Sequence, residues 1–193
     1  MEREAFLDCQ RSPQRKALSY VFFAEREASK VPMPPGHKVE LTEVFVVDVG
    51  PLAAKLATWF DSVGVAVHLV PSAPATGVVV APVAQLAGAV GMTLAGERLV
   101  ELVAPSAEVR AAVAALVSLA RRTSKVPVVT QNTAEFVSRR VAGFSVDQLA
   151  DEGARLVSAG VLSRASDFDV LMINGCGYPR HLGGPMFAKA PTA

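Results

Sequence analysis

The chain has 193 residues, with 19 Lys and Arg against 18 Asp and Glu and a formal net charge of +1. That length allows one domain with a sizeable core, or one with a small appendage, and the near-neutral balance excludes the basic footprint of a nucleic-acid binder. Cys9 and Cys176 lie far apart and outside any C-x-x-C pair, so no disulfide or metal framework is implied and a reducing cytoplasm is the expected compartment.

The start, MEREAFLDCQ, is charged and lacks the apolar core of a signal peptide. Ser12-Pro13 then opens a helix with a cap and a first-turn proline, running to about Ser29. Ala17, Leu18, Val21, Phe22 and Ala28 make its apolar stripe, and Arg15, Lys16, Glu25, Arg26 and Glu27 its wet side. The VPMPPGHK stretch, 31–38, reads as a stiff, extended linker that detaches this helix from the next part of the fold. The stripe must therefore be covered elsewhere on this chain or by a partner.

Residues 44–70 organise the chain beyond the linker. Val44 to Val47 is a run of strand formers, broken by Gly50 and Pro51. Leu52, Leu56, Trp59 and Phe60 fall at helical spacing, Gly64 closes the helix, and Val65 to Val70 is a second strand. Two strands joined through one helix run parallel, as at the opening of a dinucleotide-binding fold. The phosphate turn of such folds needs G-x-G-x-x-G, for which this chain offers Asp48, Gly50 and Ala53. Asp48 places a carboxylate where a pyrophosphate would rest, and repulsion at contact distance opposes binding. Pro71 stands where an acidic residue would hold the ribose hydroxyls, and proline has neither an acceptor side chain nor an N–H. Gly50 alone is a weak signal for a ligand, and a bare strand-to-helix turn explains it as well.

Ser62 to Gly96 contains no Asp, Glu, Lys or Arg. Pro71, Pro74, Pro82 and Gln85 interrupt it, so no run approaches the ~20 apolar residues of a spanning helix, and buried parallel strands account for it. Ser72 to Thr76 reads as a turn, Gly77 to Ala81 as a buried strand and Pro82 to Val90 as a short helix, while Met92 to Gly96 is ambiguous. Leu99 to Val103 is a strand, Ser106 caps a helix over Ala107 to Arg122, and Val126 to Thr130 is the next strand. Val109, Val113, Leu116 and Val117 point that helix inward. Two strand–helix–strand units in one chain predict an open parallel sheet.

From Gln131 no further strand is convincing. Ser145 caps a helix to about Ala159, ended by Gly160, and Ser166 caps a shorter one over Asp167 to Asn174. GCGYPRHLGGPMF comes next as a fixed-shape loop rather than a helix, and KAPTA is an expected frayed tail. The fold class expected is thus α/β, a reduced Rossmann-like parallel sheet with an N-terminal linker helix and a short C-terminal helical region. The divisions fall at 1–38, 39–133 and 134–193.

Four stretches carry a resemblance: PQRKALSYVFFAEREASKVP, the 44–70 unit, Gly91 to Thr133 ending LARRTSKVPVVTQNT, and Glu152 to Met186 with NGCGYPRHLGGPM. The chain resembles pieces of the multifunctional β-oxidation enzymes that join an enoyl-CoA hydratase to a 3-hydroxyacyl-CoA dehydrogenase. The resemblance implies NAD as cofactor and a His–Glu pair in which the His takes the hydroxyl proton and the Glu orients it. It places the Glu at Glu101 and the His at Thr93, whose hydroxyl cannot act as a base near neutral pH. A substrate-contacting Asn falls on Arg139, beside Arg140, and no Ser lies between Gly77 and Pro105 to supply the active-site serine. Set against that family, the given sequence is expected to lack the hydratase half and to carry a shortened nucleotide domain and a skipped first helical repeat.

The three histidines offer no replacement base. His37 reads as solvated in the linker, His68 as a satisfied, partly buried strand residue, and His181 as a loop-surface residue. Glu101 without its His reads as a charged residue at a strand end, and Asp167 and Asp169 as acids favourably placed at a helix start. The residues together indicate a catalytically inactive scaffold or regulatory subunit in acyl-CoA metabolism, with no cofactor, docking a protein partner or a second copy through the helix at 13–29. Two alternatives stand: an NAD-dependent dehydrogenase with relocated residues, and an acyl-CoA-binding module using Arg139 and Arg140.

Overall fold

The computed structural model describes residues 2–30, 40–47, 50–84 and 86–190. The linker at 31–38 with its His37, the turn residue Asp48 and the tail from 191 lie outside the described residues.

The first strand–helix–strand unit forms as its periodicity predicts. β1 (Glu43–Val47) leads to α3 (Pro51–Ser62) and back to β2 (Ala66–Val70), with β1 and β2 parallel. Leu56 and Phe60 bury the inner face of α3, and Gly64 closes it with φ +75°, a conformation open to glycine. The second unit is β5 (Leu99–Ala104), α4 (Arg110–Arg122) and β6 (Val126–Gln131), again parallel. Val109, Val113, Leu116 and Val117 are buried as their spacing requires. Ser106 makes no side-chain cap bond, and Ala107–Val109 is a 3-10 turn that precedes α4. The expected start at Ala107 is corrected accordingly.

Between the units lie β3 (Val79–Ala81) and β4 (Val90–Ala95). The short helix expected over Pro82 to Val90 does not form. An alanine-rich run reads as helix, but there the carbonyls of Val83 and Ala84 close on Gly91, 2.7 and 2.6 Å from where a Cβ would sit. The ambiguous Met92 to Gly96 is the body of β4, whose first four residues are buried, so no period-2 alternation marks it. The sheet order is β2-β1-β3-β4-β5-β6. It is mostly parallel: β2, β1, β3 and β4 run together, and an antiparallel β4–β5 pair reverses the direction before β6.

Helices cover both faces. α3 and α4 pack on the side of Val46, Val100 and Leu102. The other side, carrying Leu99, Val126 and Val128, meets α2 (Pro13–Ala28), α5 (Val137–Arg140), α6 (Val146–Ser158) and α7 (Ala165–Gly175). α6 opens with a capping box between Ser145 and Gln148. α7 begins after Arg164, so Ser166 lies inside it rather than capping it. An unanticipated α1 (Glu2–Arg11) precedes α2, and the Gly-rich loop contains an unanticipated short helix, α8 (Pro185–Lys189).

The stripe on α2 finds most of its cover within the chain. Ala17, Val21, Ala24 and Ala28 are buried, Tyr20 stacks on Phe187 at 4.6 Å, and Tyr20 Oη donates to Asp169 Oδ2 at 2.7 Å. Arg180 grips Glu25 with two bonds of 2.6 and 2.9 Å, and Asn174 Nδ2 donates to the same carboxylate at 3.0 Å. Burial alone would raise the Glu25 carboxyl; the bonds from Arg180 and Asn174 and the charges of Arg180 and Arg98 outweigh it and hold the carboxyl below its usual range. Leu18, Phe22 and Phe23 stay 44, 50 and 62 % exposed, so the stripe divides into a packed half and a bare half.

α8 depends on a glycine. Gly184, at φ +108°, would place a Cβ 2.3 Å from Asp169 Oδ1. Gly184→Ala should therefore lower stability by about 2 kcal/mol, read as a lower urea midpoint at unchanged m-value.

Candidate functional site

The β4–β5 register sets Thr93 directly opposite Glu101. Residues so paired project from the same face of a sheet, so the two positions that the resemblance assigns to a catalytic pair are spatial neighbours. Both are buried, Glu101 completely. It is thus no charged residue at a strand end but sits mid-strand under α5, which corrects that expectation. The reason is local: Val137 N and Ser138 N donate to its two carboxylate oxygens at 2.5 and 3.1 Å. These are amides at the start of α5, so Glu101 serves as a helix cap delivered from a strand.

Burial pushes the Glu101 carboxyl above its usual range, against the pull of Ser138, the Val137 amide and the Arg139 charge. Ser138 Oγ is buried without a well-formed hydrogen bond, though close enough to Glu101 to help hold its charge. Cys176 approaches from the far side, its Sγ 3.8 Å from the Ser138 carbonyl. The residue is exposed, yet desolvation around the thiol and the Glu101 charge push it up to about 11, which keeps it protonated and a poor nucleophile. Phe136 seals the neighbouring edge against Ala84 and Val103.

The two arginines part company. Arg139 lies over the Phe136 ring at 5.0 Å and feels Glu101. Arg140 turns to α6, its Nε donating to Glu152 Oε1 at 2.7 Å, a carboxylate that Arg155 also holds. They do not converge on one ligand.

Gly50 belongs to a different neighbourhood, the start of α3. Its φ of +110° requires glycine, and a Cβ there would meet nothing within 4 Å, so the described part of this turn is open. Open is not the same as suited to phosphate. Pro51 occupies the first helical position and has no N–H, and Ala53 N is already bonded to the Gly50 carbonyl at 3.0 Å. A helix start binds phosphate through these amides, and here the first donor is missing and another is engaged. β2 ends at Val70, and the next residue is exposed Pro71, which has no acceptor for a ribose. These residues do not fit a dinucleotide.

His68, on edge strand β2, is exposed rather than partly buried. It stacks on Phe45 at 5.0 Å and lies 3.2 Å from Glu43 Oε2. His181 is exposed in the 3-10 turn Arg180–Leu182. Neither contributes to the charge balance at Glu101.

Asp167 and Asp169 are not surface acids at a helix start; both are buried. Asp167 pairs with Arg164 at 3.0 Å. Asp169 accepts from Met186 N at 2.7 Å, Phe187 N at 3.0 Å and Tyr20 Oη, and so caps α8 while fastening α2. Burial pushes its carboxyl up to about 6 against those donors. A signal for it existed: Gly183-Gly184-Pro185 is a proline-led helix start with no local Ser, Thr, Asp or Asn, so its cap must come from elsewhere.

Among the described residues no group of three or more His, Cys, Asp or Glu could hold a metal, and no helix is long and apolar enough to cross a membrane. No family model matches the chain. It is similar to the peroxisomal bifunctional enzyme of Cavia porcellus, 40% identical over 79 residues, which is 38% of this chain and 11% of that enzyme. It is similar also to the peroxisomal bifunctional enzyme of Danio rerio, 46% identical over 39 residues, 20% of this chain and 5% of that enzyme. The resemblance read from the sequence holds to that extent. The matched stretches span a small part of those enzymes.

Proposed function

We propose that this chain is a 3-hydroxyacyl-CoA dehydrogenase-like protein of acyl-CoA metabolism that transfers no hydride and acts as a scaffold or regulatory subunit. The observation that carries the reading is Glu101: both carboxylate oxygens are engaged by the α5 amides, and Thr93 stands opposite where a base is needed. The acid that would orient an imidazole instead holds a helix. Pro51 and Pro71 support the same conclusion for the cofactor. A working NAD-dependent dehydrogenase requires two replacements at once, of the base and of the phosphate turn. A module gripping acyl-CoA between Arg139 and Arg140 is disfavoured because Arg140 is committed to Glu152.

A partner has apolar surface to meet. Phe6, Leu7, Leu18 and Phe23 are 62, 40, 44 and 62 % exposed on α1 and α2. The packed half of α2 belongs to the chain's own core, so docking uses the other half.

The test is a turnover assay of the full chain with NADH and acetoacetyl-CoA. The expected result is NADH oxidation at the no-protein background. Steady oxidation at an ordinary enzymatic rate, on the order of 1 per second or faster, overturns the reading.

A further inference from the structure

A cleft lies where the C-terminal ends of α2 and α4 meet the β4–β5 turn. Its volume is about 400 Å³, within the size of small-molecule sites. Arg26, Lys30, Arg98, Arg121 and Lys125 line it together with the half-exposed ring of Phe22. The one carboxylate in the wall, Glu25, is gripped from outside the cleft by Arg180. Arg121 also opens onto an adjoining hollow with Ser118 and Arg122. Lys30 is paired with Glu27 and the Lys125 ammonium donates to the Glu97 carbonyl, so in a chain of net charge +1 the local excess of positive charge rests mainly on Arg26, Arg98 and Arg121.

A bland explanation is available: cations gather at the negative ends of helices. The hydrogen bonds argue against it. The last carbonyls of α4 accept from Thr123 Oγ1 at 3.1 and 3.0 Å and from the amides of Thr123, Ser124 and Lys125. Those of α2 accept from Ser29 Oγ and Lys30 N. No guanidinium lining the cleft closes either helix end: the Glu27 carbonyl of α2 accepts from Arg164 Nη2 at 2.7 Å, outside the cleft, and Arg121 makes no ion pair among the described residues. Arg98 reaches Glu25 only at 3.4 Å. Arg26 lies over the Phe22 ring at 5.4 Å, a cation–aromatic stack that presents a flat apolar face beside the charges.

We propose that this cleft binds a small phosphorylated ligand bearing a flat ring, a molecule of nucleotide type. Its phosphates rest on Arg121, Lys125 and Arg98, whose guanidinium forks and ammonium suit phosphate oxygens. Its ring lies against Phe22. The site shares no residue with the Glu101 centre and stands whether or not the chain transfers hydride.

The test is calorimetry of the full chain at low salt, with ADP and with inorganic pyrophosphate as probes. ADP is expected to bind with a dissociation constant below 1 mM, more tightly than pyrophosphate, and to weaken as salt rises. The double variant Arg121→Gln, Lys125→Gln should weaken both probes at least 10-fold with an unchanged melting curve. Phe22→Ala should weaken ADP alone. Absence of binding to both probes at millimolar concentration overturns the proposal, as does ADP binding that the double variant leaves intact. A Phe22→Ala variant that binds ADP normally removes the ring from it.

Discussion

Asp169→Ala is expected to lower the unfolding free energy by about 4 kcal/mol. Three donors lose one acceptor: the amides of Met186 and Phe187 at the start of α8, and the Tyr20 hydroxyl on α2. All three bonds are partly buried and span separate elements, so orphaned donors and loosened packing add. Asp169→Asn keeps one carbonyl oxygen but turns an amide NH2 toward an N–H, and should lose about 2 kcal/mol. Urea titration at unchanged m-value reads both. The pH dependence gives an independent check. Because the folded carboxyl is raised from 3.8 to about 6, the native state holds more protons than the unfolded chain between those values. Stability contributed by this group is full below 3.8 and falls as pH climbs through 6. The wild type should thus approach Asp169→Asn in stability across that window. A constant difference would show that burial does not raise this carboxyl.

Glu101→Ala is the second large loss, again about 4 kcal/mol. It leaves a cavity under α5 and two amides, Val137 N and Ser138 N, without an acceptor. Glu101→Gln retains the volume and one acceptor and should lose about half as much. Hydrogen exchange at Val137 and Ser138 localises the effect: both amides lose protection in Glu101→Ala, while those of α6 keep theirs. If the Val137 and Ser138 amides exchange as in the wild type, the carboxylate is not their cap.

These two residues also mark where sequence reasoning stops. The strand–helix–strand units, α2 and α6 could be read because their information is local: periodicity at 3.6, a glycine at φ +75° or +70°, and a capping box from Ser145 to Gln148. Asp169 could not, because its partners lie 17, 18 and 149 residues away. Glu101 in LVELV reads as a charged residue at a strand end, since nothing nearby in the chain announces that amides 36 and 37 residues later will cover it. β4 was obscured for a different reason. A strand buried on both faces loses the alternation that identifies strands, and Gly91 and Thr93 dilute its apolar run. At the candidate site the resemblance placed Thr93 and Glu101, and the register put them side by side. That Arg139 and Arg140 diverge is set by Glu152, a residue on another helix.

The clasp between the two ends of the chain has a kinetic consequence. Tyr20 and Glu25 are made before their partners, since Asp169 and Arg180 emerge 149 and 155 residues later. The β6 residues Val126 and Val128 can meet Ala24 and Ala28 of α2 before then, but the polar half of the clasp closes only after Asp169 and Arg180 have been made. A chain halted before Asp169 keeps the α2–β6 contact and lacks the partners of Tyr20 and Glu25, so α2 is held by its apolar half alone.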